Sequence, residues 1–157
     1  MTSHILIAFD DSDNAMRSID FVGTHVSPFC SVTLFTVLPN MEALCAMQSP
    51  ELVPYFLEQQ STFCILEEKK KELLVTAQQK ARNCLINYGF KEDAITIKST
   101  RQEKGIARDI INEADSGLYD LIVLGKKGQS AIKDFFLGSV SQKVLNSVKK
   151  ASVLLVD

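Results

Sequence analysis

Histidine is nearly missing from this chain, and cysteine is sparse. The two histidines, His4 and His25, are too few and too scattered for a histidine-built metal site. Four cysteines, at positions 30, 45, 64 and 84, lie fifteen to twenty residues apart with no C-x-x-C among them. That excludes the usual zinc-ribbon and thioredoxin-type arrangements, and Cys30 and Cys84, which fall in apolar patterns, read as buried thiols. There is no excess of positive charge: a formal net charge of -2 argues against a general nucleic-acid binder. No apolar run approaches the 18 residues that a membrane helix requires. The strings G-x-x-x-x-G-K-[ST] and G-x-G-x-x-G are both absent, which excludes a Walker loop and a Rossmann turn. The apolar pattern opens near His4 with no basic leader before it. The expectation is a reduced, cytoplasmic protein that contacts neither membrane nor nucleic acid.

What the chain does have is an alternation of buried-strand and amphipathic-helix patterns. Its 157 residues suit one domain spanning positions 1–157. Residues 4–9 form a continuous apolar run, the mark of a strand covered on both faces. Asp10, Asp11, Ser12 and Asp13 follow it, and Ser12 or Asp13 can cap a helix carrying Ala15, Ile19, Val22 and Val26. A second strand covers 31–38 and stops at Pro39. Residues 39–60, with Pro50 and Pro54, are a long connection expected to hold short helical pieces; a lid or partner surface is the functional alternative. One long helix is predicted over 61–88, with a buried stripe of Phe63, Leu66, Leu73, Leu74, Ala77, Ala81, Cys84 and Leu85. A less apolar third strand over 94–98 suits a sheet edge. A helix over 105–115, a strand over 119–124, a helix over 139–148 and a strand over 151–157 complete the chain. This order predicts an α/β fold: a three-layer α/β/α sandwich around a five-stranded parallel sheet.

The most informative stretch lies around the fourth strand. Leu124 runs directly into Gly125; Gly128 follows after two residues, and Gly138 with Ser139 after nine more. Glycine lets backbone N–H groups approach an anion, and a helix start supplies unpaired donors. Residues 125–150 hold six lysines against one acid, a net of +5, which leaves -7 on the remainder. That fits phosphate binding, and it also fits a solvated lysine face. Two loop glycines beside an unrelated helix cap are the plainer alternative. In parallel sheets, ligands bind beyond the carboxyl ends of the strands where strand order reverses. With the first strand central, Asp10–Ser12, Val37 and the glycine stretch would converge there.

Together these residues resemble the universal stress protein family, over nearly the whole chain. Gly125, Gly128, Gly138 and Ser139 fit the G-2x-G-9x-G-[ST] pattern of its ATP-binding branch, and the opening run ending in Asp10 is similar to the family's first strand. The resemblance implies an ATP-binding (or ADP- or AMP-binding) stress-response module, with hydrolysis slow or absent. Mg²⁺ or Mn²⁺ would accompany the phosphates. It implies that Ala8, Phe9 and Asp10, with Ser12 beside them, border the adenine side and that Val37 meets adenine through its backbone. Leu124 and Gly125 would border the ribose, and Lys127, Gly128, Gly138, Ser139, Val140 and Ser141 would hold the phosphates. It further implies a homodimer through the last strand, Val153 to Val156. Two positions depart from the pattern: Asp11 stands where the family commonly has glycine, and Lys127 where it often has arginine or histidine. A ligand-free homodimeric interaction protein of the same fold, or an ATP-using adenylating enzyme, are the alternatives. No catalytic residue is evident.

Overall fold

Five parallel strands form one sheet in the order β3-β2-β1-β4-β5. The computed structural model describes residues 3–38, 53–127 and 137–157, with side chains from residue 68 onward in the second stretch. β1 (His4–Ala8) is central and flanked by β2 (Ser31–Leu38) and β4 (Leu121–Gly125). β3 (Ile95–Arg101) and β5 (Ser152–Val156) are the two edges. The central position explains why Ile5, Leu6 and Ile7 are all buried: a strand covered on both faces has no solvent side for a polar residue.

Helices cover the sheet on both faces, which gives the predicted three layers. α1 (Asp13–His25) and α2 (Val53–Asn87) share a core with Ile5, Ile7, Phe9, Val32, Leu34 and Val123. α3 (Ile106–Ala114) and α4 (Ser139–Ser147) pack on the opposite face with Leu6, Phe35, Ile122 and Leu124. The alternation of odd and even positions along β1 therefore separates two cores.

Four expectations about these elements need correction. The long helix begins at Val53, inside the stretch read as a connection, because Pro54 falls in the first helical turn, where a missing N–H costs nothing. The rest of that connection, 39–52, lies outside the described residues, as do the side chains of Phe63 and Leu66. Within the helix stripe Leu73 is 55% exposed, and the buried positions are Leu74, Gln78, Ala81 and Leu85. A glutamine thus occupies a core slot. Finally, β3 is longer than predicted and runs on through Ser99, Thr100 and Arg101, since an edge strand needs one apolar side only and tolerates polar residues. Cys30 and Cys84 are free thiols, half-buried rather than fully covered.

Candidate functional site

Strand order reverses between β1 and β4, the place where parallel α/β sheets offer a crevice at the carboxyl ends of their strands. β1 is the shorter partner there. Its register with β2 ends at Ala8 opposite Phe35, and the Phe9 N–H closes the last rung on the Phe35 carbonyl at 2.8 Å. β2 runs on to Leu38, whose carbonyl accepts from the Gln102 N–H at 2.8 Å on the β3 side. Parallel strands direct alternate residues to opposite neighbours. With Phe35 facing β1 and Leu38 facing β3, the N–H and C=O of Val37 face the β1 side, beyond the end of that strand. Ala8, Val37, Leu124 and Val140 line the same face, packed with the core of α3 and α4. Phe9 differs from expectation: its side chain is buried in the opposite core, with α1 and α2, so only its backbone borders the crevice.

The start of α1 is held by its own side chains. Ser12 is the N-cap, and its hydroxyl accepts from the Ala15 N–H at 3.2 Å. Asp10 Oδ1 accepts from the Ser12 N–H at 3.0 Å and also from the Ser12 hydroxyl. Asp10 and Ser12 thus turn the chain from strand to helix. Asn14, unnoticed in the sequence, ties that helix to the glycine stretch: its Nδ2 donates to the Lys127 carbonyl at 2.8 Å.

Gly125 sits against the same helix. A Cβ placed there would lie 2.9 Å from Asn14 Cβ and 3.1 Å from the Asn14 carbonyl carbon. The glycine is required by close passage of α1 over the end of β4, which is a packing demand.

The start of α4 differs from that of α1. The Gly138 N–H donates to the Lys126 carbonyl at 2.9 Å, so the excursion between them begins and ends at one place beside β4. Gly138 is the N-cap and makes no side-chain capping bond. The first helical bond runs from the Gln142 N–H to the Gly138 carbonyl at 2.8 Å, which leaves the N–H groups of Ser139, Val140 and Ser141 ahead of the ladder. Ser141 is buried and its hydroxyl donates to the Gly125 carbonyl at 2.7 Å. Ser139 is exposed. Lys126 pairs with Asp157 at 3.1 Å, and Lys127 is half-exposed at the same edge. Gly128 lies outside the described residues. Among the described residues no group of three or more His, Cys, Asp or Glu side chains is arranged to hold a metal ion.

Two further polar residues escaped the sequence reading. Thr36 and Gln78 are buried, and their signal was a polar residue in an otherwise apolar slot. Thr36 Oγ1 donates to the Phe9 carbonyl at 2.8 Å, and Gln78 Nε2 lies 3.0 Å from Thr36 Oγ1.

A five-stranded parallel sheet with helices on both faces and a strand-order reversal beside its central strand defines a three-layer α/β protein. The chain belongs to the universal stress protein family, whose family model matches residues 1–157. It is 28% identical over 163 residues to universal stress protein YxiE of Bacillus subtilis (strain 168), an alignment covering 99% of each chain. Among solved structures it resembles universal stress protein UspA from Lactobacillus plantarum, with a TM-score of 0.70 and 19% identity over 99% of this chain and 97% of that one. It also resembles the universal stress protein from Archaeoglobus fulgidus in complex with dAMP, with a TM-score of 0.61 and 16% identity over 100% of this chain and 98% of that one.

Proposed function

We propose that this protein binds an adenine nucleotide, ATP or its ADP and AMP products, and acts as a nucleotide-dependent switch in a stress response. The observation that carries the proposal is the contrast between the two helix starts at the crevice. α1 is capped by Ser12, whereas α4 opens at a bare glycine with three N–H groups ahead of its ladder. Such a start favours an anion through both its donors and its dipole. The Val37 backbone offers one donor and one acceptor, which suits the Watson–Crick edge of adenine. The dAMP complex of the Archaeoglobus relative supports the same ligand class.

In this reading Ser139, Val140 and Ser141 give backbone N–H groups to phosphate and the exposed Ser139 adds its hydroxyl, with Gly128 and Gly138 permitting close approach and Lys127 adding charge. Ala8, Leu124 and Gly125 line the ribose and base. A divalent ion, Mg²⁺ or Mn²⁺, would take its ligands from phosphate oxygens and water, a common mode for Mg²⁺. Hydrolysis is slow or absent in this reading, since Asp10 Oδ1 is engaged by the Ser12 N–H and hydroxyl as part of the turn into α1. The protein works in the cytoplasm as a homodimer through β5, whose residues Val153, Leu154 and Leu155 are apolar and only partly covered at the sheet edge. Among the described residues no helix is long and apolar enough to cross a membrane.

The test is to denature the purified protein and separate released nucleotide by anion-exchange chromatography, then titrate stripped protein with ATP and Mg²⁺ in a calorimeter. Co-purified ATP, or heat of binding lost in Gly128→Val/Gly138→Val, is expected. No nucleotide and no heat would leave the ligand-free interaction protein as the correct description.

A further inference from the structure

We propose that Thr36, oriented by Gln78, is the positioning residue that keeps the Val37 backbone edge open and thereby sets the preference of the crevice for adenine. The base preference rests on the nucleotide reading above; the effect on Val37 does not.

The register shows what Thr36 prevents. The β1–β2 ladder runs from His4 opposite Ser31 to Ala8 opposite Phe35, and the Phe9 N–H then donates to the Phe35 carbonyl at 2.8 Å. The next rung of a parallel ladder would join the Val37 N–H to the Phe9 carbonyl. That carbonyl accepts from the Thr36 hydroxyl at 2.8 Å, and although it has room for a second donor no backbone bond from Val37 accompanies it. A side-chain bond of β2 thus stands where the backbone rung would be, and the Val37 N–H faces the crevice.

The direction of the Thr36 proton follows from chemistry. A carbonyl only accepts, so the single hydroxyl proton goes to Phe9, and any other neighbour of Oγ1 must donate. Gln78 Nε2 meets that need at 3.0 Å, while the same amide donates to Ser99 Oγ at 3.1 Å. Gln78 is 4% exposed and Thr36 is 3% exposed, so neither bond is traded with bulk water. A buried glutamine in the apolar stripe of α2 is thereby explained: it fixes the rotamer of a hydroxyl at the crevice. The chain Ser99–Gln78–Thr36–Phe9 links β3, α2, β2 and the end of β1 in one network.

A Val37 edge with a free donor and acceptor matches N1 and the 6-amino group of adenine and mismatches hypoxanthine, which carries a 6-oxo group and a protonated N1. ATP and ITP are therefore the discriminating probes. Amide exchange by NMR on the free wild-type protein should show Val37 unprotected while Phe35 is protected. In Thr36→Val, which keeps the shape and loses the hydroxyl, the Val37 amide should become protected by pairing with Phe9. The ratio of ATP to ITP affinity should fall about tenfold, the worth of one hydrogen bond. Thr36→Ser should restore both. If Thr36→Val does not fold, Gln78→Met frees the hydroxyl to turn; partial Val37 protection and about a threefold loss of the ratio are expected, and no change in either overturns the proposal. A protected Val37 amide in the free wild type, or an unchanged ratio in Thr36→Val, also overturns it. A wild type that binds neither nucleotide removes the nucleotide reading and with it the base preference, while Val37 exchange still decides what Thr36 does to the backbone.

Discussion

Ser141 Oγ donates to the Gly125 carbonyl at 2.7 Å, joining the first turn of α4 to the last residue of β4. Both residues belong to the stretch read from sequence as a phosphate cradle, yet this bond is internal to the protein. The exposed Ser139 has no such commitment.

The two serines should therefore separate by experiment. Ser141→Ala leaves a part-buried carbonyl without this donor and should lower stability by about 1 kcal/mol. Ser139→Ala should leave the unfolding midpoint within about 0.5 kcal/mol, as surface changes do. Under the nucleotide proposal it should instead weaken ATP binding about threefold to tenfold. Urea unfolding and calorimetric titration of both variants check this. Equal loss of stability in the two would contradict the assignment.

Gly125 gives a second prediction. The Cβ of an alanine there would stand 2.9 Å from Asn14 Cβ and 3.2 Å from the Asn14 carbonyl oxygen. These atoms belong to the body of a helix and cannot swing away. Gly125→Ala should cost about 1–3 kcal/mol through overpacking. Gly23→Ala should likewise cost stability, because its Cβ would run into the Tyr88 ring down to Cγ, and the ring's hydroxyl is held by Asp20. Thermal unfolding of both variants measures the two losses.

The sheet was legible because burial on both faces forces apolar runs, continuous in β1 and β4 and interrupted in β2 only by Thr33 and Thr36 after its first residue. The edge position of β3 followed from its polar composition for the same reason. What escaped reading was whatever depends on a neighbour distant in sequence. Pro54 reads as a breaker until its place in the first turn of α2 is known. Leu73 and Gln78 exchange their expected roles because Thr36 and Ser99 supply the glutamine with partners, which hydropathy cannot register. Phe9 adjoins Ala8 in sequence, yet strand alternation sends its ring to the opposite core. Gly125 was noticed as a motif glycine, while the helix that crosses it lies 111 positions earlier, at Asn14.

Asp115 predicts an acid sensitivity. It follows α3, and its Oδ1 accepts the backbone N–H groups of Lys149 and Lys150, each at 2.9 Å, which anchors the turn before β5. Burial pushes the carboxyl up, but these two bonds and the lysine charges outweigh it and hold the group below its ordinary value of 3.8. A depressed folded-state pKa gives stability that is fully present above the unfolded value and is lost as pH falls through the folded one. Asp115→Ala should be less stable than wild type at neutral pH, by no more than about 0.5–1 kcal/mol because solvent screens the exposed carboxylate. That gap should close as the pH drops below about 4, where the unfolded carboxyl begins to protonate. A gap independent of pH would mean that Asp115 acts through packing alone.

Tyr119 predicts the opposite sign at the alkaline end. Its hydroxyl donates to Glu113 Oε1 at 2.7 Å, and the same carboxylate pairs with Lys98 Nζ at 2.7 Å. Burial pushes the phenol from 10.0 up to about 12, the bond to Glu113 adds to the rise, and a hydrogen bond with Thr33 opposes it. A folded-state pKa above the unfolded one gives stability that is complete below pH 10 and disappears as pH climbs towards 12. The chain has three tyrosines, so phenolate absorbance can resolve one late titration. Wild type should show a step near pH 12 that is missing in Tyr119→Phe, provided the fold persists to that pH. Tyr119→Phe should also lose less stability between pH 10 and 12 than wild type does, since it has no phenol to ionise. Ionisation of all three tyrosines together near pH 10 in folded protein would show that Glu113 serves Lys98 and leaves the phenol to solvent.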